Sequence, residues 1–432
     1  MDTIAPKTPV PSAFAEWRNL EPADAAQRVV TAVQALPAPL RRAAISWMPA
    51  ENEIAGEFAR ARAERSGGAL AGVPYFLKDL FDAAGSPTAA GSTFLSSVRV
   101  PSGDAAIVRL LRSQGAVLAG KTQLVEFASG LTGENPHFGD CPHPRFPDRL
   151  TGGSSSGSAA MVAAGVVPLA IGTDTGGSVR VPAAFCGLFG FRLTPRDPLI
   201  ADAFPLSPTM DTAGWFTATS ENMLASWRAI VGAPPTIPSG SALRGCYLSG
   251  PDLGATMTAG IEEACASHAF ALGARVDSRV SRAIAESWSG AVDAYVTIGM
   301  TEANRVHRNW LEPFRANYDP LIWKRFRDAG EIAPEAIAHA HSKRAQAADY
   351  WQRILQDFDY VALPSAPCPA PHKSDCTPEL RRNILALTAP ASLGGLPCLC
   401  LPVPLPGGLT AGLQVVTRDP ASPVFARLLT AI

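Results

Sequence analysis

The chain has 432 residues, 47% hydrophobic and 17% charged, with a formal net charge of −1. This is ordinary globular composition with ample material for a large core. The near-neutral balance gives no electrostatic footprint for nucleic acid or an anionic membrane. The first residues, MDTIAPKTPVPSAF, lack the basic and apolar regions of a secretory leader. The longest apolar stretch, Ala159 to Gly172, is too short to span a bilayer and contains Pro168. The expectation is a cytoplasmic protein without membrane insertion, its eight scattered cysteines held as reduced thiols.

Taken in order, residues 1–20 read as a loose, proline-punctuated arm. Helical patterns follow at 22–35 and 50–65, the second stopping at Gly67-Gly68. Val73 to Leu77 reads as a buried strand with Lys78-Asp79 at its end. Asp104 is placed as the N-cap of a helix through Gln114, with Ile107, Val108, Leu110 and Leu111 on its apolar face. Gly115 breaks that helix, Ala116 to Ala119 forms a short strand, and a further helix is expected to start near Thr122. Seven of the eight residues from Thr151 to Ser158 are glycine or serine. A buried helix over Ser158 to Ala164 and a strand over Val167 to Ile171 follow, then a second glycine-serine turn, Gly176-Gly177-Ser178.

Strands and helices alternating at this length predict an α/β fold, a mixed central sheet covered by helices on both faces. Residues 240–360 are more aromatic and charged, with Trp288, Trp310, Trp323 and Trp351 spread along a mostly helical pattern. They read as a helical insertion or cap. The chain then returns to strand-like, proline-rich segments at 360–371 and 396–406, where Cys398 and Cys400 read as small buried side chains. Length alone is a soft prior for two or three domains. The pattern is nevertheless read as one domain over 1–432, with a catalytic core at 65–225 and a C-terminal return to it at 358–432.

Only six of the 37 Lys and Arg residues are lysines, and Lys78 sits in the apolar setting Val73-Pro74-Tyr75-Phe76-Leu77 and Leu80-Phe81. Burial disfavours an ammonium ion, so a lysine there can serve as a base. A serine hydroxyl is a poor nucleophile until a base removes its proton. A second serine between lysine and nucleophile relays that proton inward and later delivers it to a leaving amine. The amides of Thr175, Gly176, Gly177 and Ser178 offer an oxyanion hole, which the glycines leave open to a carbonyl oxygen. Taken alone, Gly153-Ser154-Ser155-Ser156-Gly157 also matches the G-x-S-x-G elbow of α/β-hydrolases. Any Gly/Ser-rich run produces that match, and none of the seven histidines is suitably placed to complete it.

The segments GVPYFLKDL (72–80), GKTQLVEFASG (120–130), TGGSSSGSAA (151–160) and GTDTGGSVRVPAAFCG (172–187) together resemble the amidase signature family. Weaker matches at 207–214, 358–371 and 394–416 extend the resemblance from about residue 45 to the end. The family hydrolyses amides with a Ser–cis-Ser–Lys triad, and its 24-residue spacing between the two serines is kept from Ser154 to Ser178. The resemblance implies Ser178 as the acyl-forming nucleophile, Ser154 as the bridging cis-serine and Lys78 as the general base. It puts a cis bond between Gly153 and Ser154, and gives Ala128 and Ser154 a part in substrate binding, the backbone of Ala128 lining the acyl pocket.

Two positions depart from the family pattern. Thr151 stands where a proline is usual, and Arg192-Leu193-Thr194-Pro195-Arg196 replaces the common Lys-Pro-Thr-Tyr-Gly run. The second departure argues against the A subunit of glutamyl-tRNA amidotransferase.

Among the remaining polar residues, Ser155 and Ser156 read as hydrogen-bonding scaffold, and Asp211 as a turn cap. Asp174 and Arg180 read as supports of the nucleophile's turn, with a substrate carboxylate as the other reading of Arg180. Cys141-Pro142-His143 and His339-Ala340-His341 lack the further ligands a metal would need. No metal or organic cofactor is implied. The expected activity is hydrolysis of a small-molecule amide, with release of ammonia or an amine. The rivals are a glutaminase-type subunit of an amidotransferase and, from another class, a catalytically silent scaffold on the same fold. The expected partner is the small amide substrate, without nucleic acid or membrane, and a homodimer or a small accessory subunit is left open.

Overall fold

The computed structural model describes residues 13–64, 68–232 and 242–432. Most of the expected N-terminal arm, and Gly67 at the expected helix stop, lie outside the described residues.

Among the described residues eleven strands form one mixed sheet. The first six are β1 (Ile45–Trp47), β2 (Pro74–Lys78), β3 (Val117–Thr122), β4 (Leu169–Thr173), β5 (Phe189–Arg192) and β6 (Ala213–Thr217). The others are β7 (Gly245–Tyr247), β8 (Ala274–Arg275), β9 (Tyr360–Pro364), β10 (Cys398–Pro404) and β11 (Thr410–Val416). Their spatial order is β1-β3-β2-β4-β6-β5-β10-β11-β9-β7-β8. Parallel pairing of β2 with β3 and β4 brings the carboxyl ends of three strands together, and antiparallel pairs join β4 through β6 and β5 to β10.

Side chains alternate between faces along a strand, and here both faces are buried, which is why these strands read as continuous apolar runs. Tyr75 and Leu77 enter one apolar cluster while Phe76 enters the other. In β10, Cys398 and Cys400 face one cluster and Leu399 and Leu401 the opposite one. All eight cysteines are free. No helix among the described residues is long and apolar enough to cross a membrane.

The helices at Pro22–Ala35, Glu51–Ala63 and Ser156–Ala163 lie where the apolar spacing puts them. Four local expectations fail. Phe14–Arg18 is a short helix rather than loose chain, because Phe14 and Trp17 are buried and Trp17 stacks on Phe58. Ala105, not Asp104, caps the helix Ala106–Ser113; the Asp104 carboxylate accepts the Ala84 N–H and pairs with Arg112. The chain does not turn helical at Thr122, since β3 continues through it opposite Lys78 and Ile45. Strand β4 begins at Leu169, two residues later than expected, just past Pro168.

The helical pattern after residue 240 is interrupted by β7 and β8, which extend the sheet edge. Its helix Ala291–His307 packs against Pro334–Asp357 and Pro378–Leu393, and this group stands opposite the nucleophile's turn.

Candidate active site

Lys78 ends β2 with no exposed surface. Its Nζ donates to three hydroxyls, Ser154 Oγ at 2.8 Å, Ser155 Oγ at 2.9 Å and Thr173 Oγ1 at 2.8 Å. Burial pulls its pKa down to about 7, partly offset by the charges of Asp174 and Asp211. Near neutral pH a large share of this amine is therefore unprotonated. A neutral amine keeps two N–H donors and one lone pair, so one of the three hydroxyls must then donate inward. Ser155 already gives its proton to the Thr173 carbonyl at 3.1 Å, which leaves Ser154 or Thr173.

Ser154 lies in the loop ahead of the helix Ser156–Ala163, and the Gly153–Ser154 peptide bond is cis, as the resemblance implied. Its carbonyl accepts the Val125 N–H at 3.2 Å, and Gly153 N–H reaches the Leu131 carbonyl at 2.8 Å. Ser178 sits between Gly177 and the helix Arg180–Cys186, and its carbonyl accepts the Ser155 N–H at 3.3 Å. The two serine turns are thus joined through the backbone.

The Asp174 carboxylate organises the second turn. It accepts the backbone N–H of Gly177, Val179 and Arg180 at 2.8, 3.1 and 3.3 Å. It also accepts Nε and Nη2 of Arg180 and Nη1 of Arg192 at 2.8 to 3.0 Å. Burial opposes its ionisation, but the two guanidinium ions win and hold it well below the usual carboxylate range. Arg180 is wholly buried, its remaining donors taken by the Thr388 carbonyl, Gln414 Oε1 and Ser392 Oγ. It has no donor free for a substrate, so the carboxylate-binding reading of Arg180 is overturned.

Asp211 accepts the N–H groups of Leu206 and Ser207, which is the expected turn cap, and also the Thr175 hydroxyl at 2.6 Å. Burial pushes its pKa up to about 6. Thr388 Oγ1 donates to the Gly176 carbonyl at 2.7 Å. Gly177 has φ +126°, a backbone state that favours glycine.

Composition and spacing did not single out Thr173, Arg192, Thr388, Ser392 or Gln414. Arg192 occupies the first position of the run in which the sequence departs from the pattern it resembles. A buried cation is thereby kept beside Asp174.

The facing wall comes from the helix Ala291–His307. Its Tyr295 is buried, and a Cβ on Gly176 would fall 2.1 Å from the Tyr295 hydroxyl. Ala128 is buried in a turn where it and Phe127 both have positive φ, 60° and 48°, backbone strain of the kind functional sites retain. Beside this turn lies a cavity of about 240 Å³, lined by Val125, Ser129, Leu131, Ile322, Arg325 and Arg381 among others. Val125 ties the cavity to Ser154. His143 accepts the N–H groups of Arg145 and Phe146 on Nδ1, with Nε2 against the Phe185 carbonyl. His339 and His341 are exposed on the helix Pro334–Asp357.

A family model described as Amidase matches residues 28–245. The chain is 31% identical over 374 residues to 1-carboxybiuret hydrolase subunit AtzE of Pseudomonas sp. (strain ADP), covering 80% of both chains. It is 30% identical over 403 residues to indoleacetamide hydrolase of Pseudomonas savastanoi, covering 88% of this chain and 87% of that one. A solved structure described as a crystal structure of amidase shares its fold with a TM-score of 0.83 at 28% identity, covering 97% of this chain and 98% of the other.

Proposed function

This chain belongs to the amidase family and is a hydrolase of carbon–nitrogen bonds other than peptide bonds; we propose that it works through an acyl-enzyme on Ser178. The observation that carries the proposal is a sealed lysine, tuned to about 7, whose Nζ lies 2.8 Å from Ser154 Oγ. A base poised near the working pH combines the right protonation state with driving force for proton transfer.

Ser178 Oγ attacks the amide carbonyl carbon as its proton passes to Ser154 and the Ser154 proton passes to neutral Lys78. Negative charge developing on the carbonyl oxygen is taken up by the amides of Thr175, Gly176 and Ser178; the Gly177 amide, expected to join them, is instead committed to Asp174 at 2.8 Å. Asp174 and Asp211 hold that turn in place before the substrate arrives, so its dipoles need no reorganisation during the reaction. When the intermediate collapses, the carbon–nitrogen bond breaks and the leaving nitrogen takes a proton from Ser154, which Lys78 replenishes. Water then attacks the acyl carbon along the same relay, Ser178 recovers its proton, and the acid departs. The balance is one amide and one water in, one acid and one ammonia or amine out.

Ser155 holds Lys78, Arg180 locks Asp174, and the backbone around Ala128 borders the space for the acyl group. Strands from residue 45 to residue 416 share one sheet, which supports reading the chain as one amidase unit. The eight unpaired thiols fit the reducing cytoplasm. Ammonia release across small amides, aryl amides, ureas and glutamine tests the reading. Lys78→Ala is expected to lower turnover about 10⁴-fold, on the scale of losing a triad member, with the near-UV circular dichroism kept. Near-normal turnover in that variant would remove Lys78 from the role of base.

A further inference from the structure

One face of the helix Ala291–His307 reaches the nucleophile's turn by two routes. Residues three or four apart share a side of a helix, and Tyr295, Gly299 and Glu302 follow that spacing. Tyr295 meets the turn directly, at Gly176. Gly299 and Glu302 meet instead the segment 206–211, which leads into β6. A Cβ on Gly299 would lie 3.4 Å from Met210 Cε, so this segment is seated closely on the helix by a buried methionine.

Glu302 is buried and spends both carboxylate oxygens on the same segment. Its Oε2 accepts the Ser207 hydroxyl at 2.6 Å and the Thr209 N–H at 3.1 Å, and its Oε1 accepts the Thr209 hydroxyl at 2.7 Å. Arg344, from the helix Pro334–Asp357, closes Thr209 from outside, donating to its Oγ1 at 2.7 Å and to its carbonyl at 2.8 Å. The segment in turn wraps Asp211. Oδ2 of Asp211 accepts the N–H groups of Leu206 and Ser207 at 2.9 and 3.0 Å, and the Ser207 carbonyl accepts the Asp211 N–H at 2.8 Å. Oδ1 takes the Thr175 hydroxyl at 2.6 Å. A continuous run of hydrogen bonds therefore leads from Glu302 through Ser207 and Asp211 to Thr175.

The segment 206–211 precedes β6, which starts at Ala213, so the sheet ladder does not hold it. Hydrogen bonds to an ionised carboxylate are shorter and stronger than those between neutral groups, and here Glu302 supplies three of them. Arg192 holds the Thr175 carbonyl at 3.3 Å, which leaves the hydroxyl to Asp211. Oxyanion donors must stand at hydrogen-bond distance from the oxygen before charge develops on it. A misplacement of about 1 Å can cost about 10²-fold in rate. Where Asp211 sits therefore matters to the Thr175 amide, and Glu302 is what fixes the residues around Asp211.

We propose that Glu302 is a positioning residue for the reaction, setting the Thr175 amide of the oxyanion hole through Ser207, Thr209 and Asp211. This rests on the reading of Ser178 as nucleophile and of Thr175 as an oxyanion donor. The helical insertion then does more than wall the cleft. It carries part of the frame that holds the oxyanion hole, and a substitution at Glu302 changes the rate of the chemical step.

The test is a double-mutant cycle on the rate of labelling by a fluorophosphonate probe, in wild type, Glu302→Ala, Thr175→Val and the two combined. Labelling forms the bond from Ser178 Oγ to phosphorus and releases fluoride, the serine proton passing to the relay, while the phosphoryl oxygen takes the place of the amide carbonyl oxygen. Each single variant is expected to slow labelling about tenfold to a hundredfold, up to the loss of one oxyanion donor. The double variant is expected to be within about twofold of the slower single, because both changes cut the same path. Losses that multiply in the double variant put Glu302 outside the path to Thr175 and overturn the inference, as does wild-type labelling in either single variant. Glu302→Gln, which keeps an acceptor for Ser207 and the Thr209 N–H, is expected to recover most of the rate. If Glu302→Ala does not fold, Ser207→Ala removes one bond of the run and enters the same cycle under the same criteria, with a slowing of about threefold to tenfold expected. A wild type that the probe leaves unlabelled overturns the Ser178 reading and this role with it, whereas a labelled wild type with multiplying losses overturns this role alone.

Discussion

On one side of the cleft a single carboxylate, Asp174, accepts six hydrogen bonds from three backbone amides and two arginines. On the other, Arg325 and Arg381 share a single carbonyl oxygen, that of Ser129. The first side rests on the ends of β2, β4 and β5 and on two glycine-serine turns, with its partners buried and, apart from Arg192 Nη2, hydrogen-bonded. The second is carried on helices from the later half of the chain, where these two side chains are not locked to one another. Oxyanion stabilisation needs dipoles fixed before reaction. The saturation of the first side is what the oxyanion role proposed for it requires.

Breaking the saturated side has the largest expected effect. Asp174→Ala leaves Arg180 and Arg192 buried without their carboxylate and is expected to cost about 3–5 kcal/mol of stability, read as a lower urea midpoint at unchanged slope. A loss under about 1 kcal/mol would mean that Asp174 does not bind this turn together.

A smaller effect is expected where the two sides touch. Gly176→Ala sets a methyl group 2.1 Å from the Tyr295 hydroxyl, so the tyrosine or the turn must move. Turnover is expected to fall about 10²-fold, the scale of losing one oxyanion donor. Adding Tyr295→Ala is expected to restore part of it. If the double variant is no better than the single, the turn itself has been displaced by the new side chain.

The legibility of the two sides differs for the same physical reason. Lys78, Ser154 and Ser178 sit in short runs whose composition is odd for a purely structural segment, a lysine ending an apolar strand and glycines crowded with serines. Thr173 carried a fainter signal, as a hydroxyl-bearing residue next to Asp174 at the end of a strand. Arg192, Thr388, Ser392 and Gln414 carried none, because each lies in an ordinary strand or helix and reaches Asp174 or Arg180 only through the sheet. Glu302 and Tyr295 are equally ordinary in a helical pattern. Their significance depends on which helix face meets the cleft, which one sequence does not specify.

In the fold, strands buried on both faces and amphipathic helices were readable from their apolar spacing. Asp104 and Thr122 were misread because local preference was overruled, by Arg112 in one case and by strand pairing with β2 in the other.

The smallest expected effect is one of pH. With Lys78 at about 7, protonation removes the base, so kcat/KM is expected to fall about tenfold per unit as pH drops below about 7, and to level off above it. Asp211 at about 6 also titrates nearby, and Asp211→Asn is expected to leave the limb near 7 in place. A profile flat down to pH 5 would contradict a lysine base.

The account's central claim is that the relay from Lys78 through Ser154 makes Ser178 the nucleophile, and a fluorophosphonate probe tests it directly. Peptide mass spectrometry of the labelled protein is expected to find one adduct, on Ser178, formed more slowly below pH 7 and absent from Ser178→Ala. An adduct on any other serine, or labelling that persists in Ser178→Ala, would contradict it.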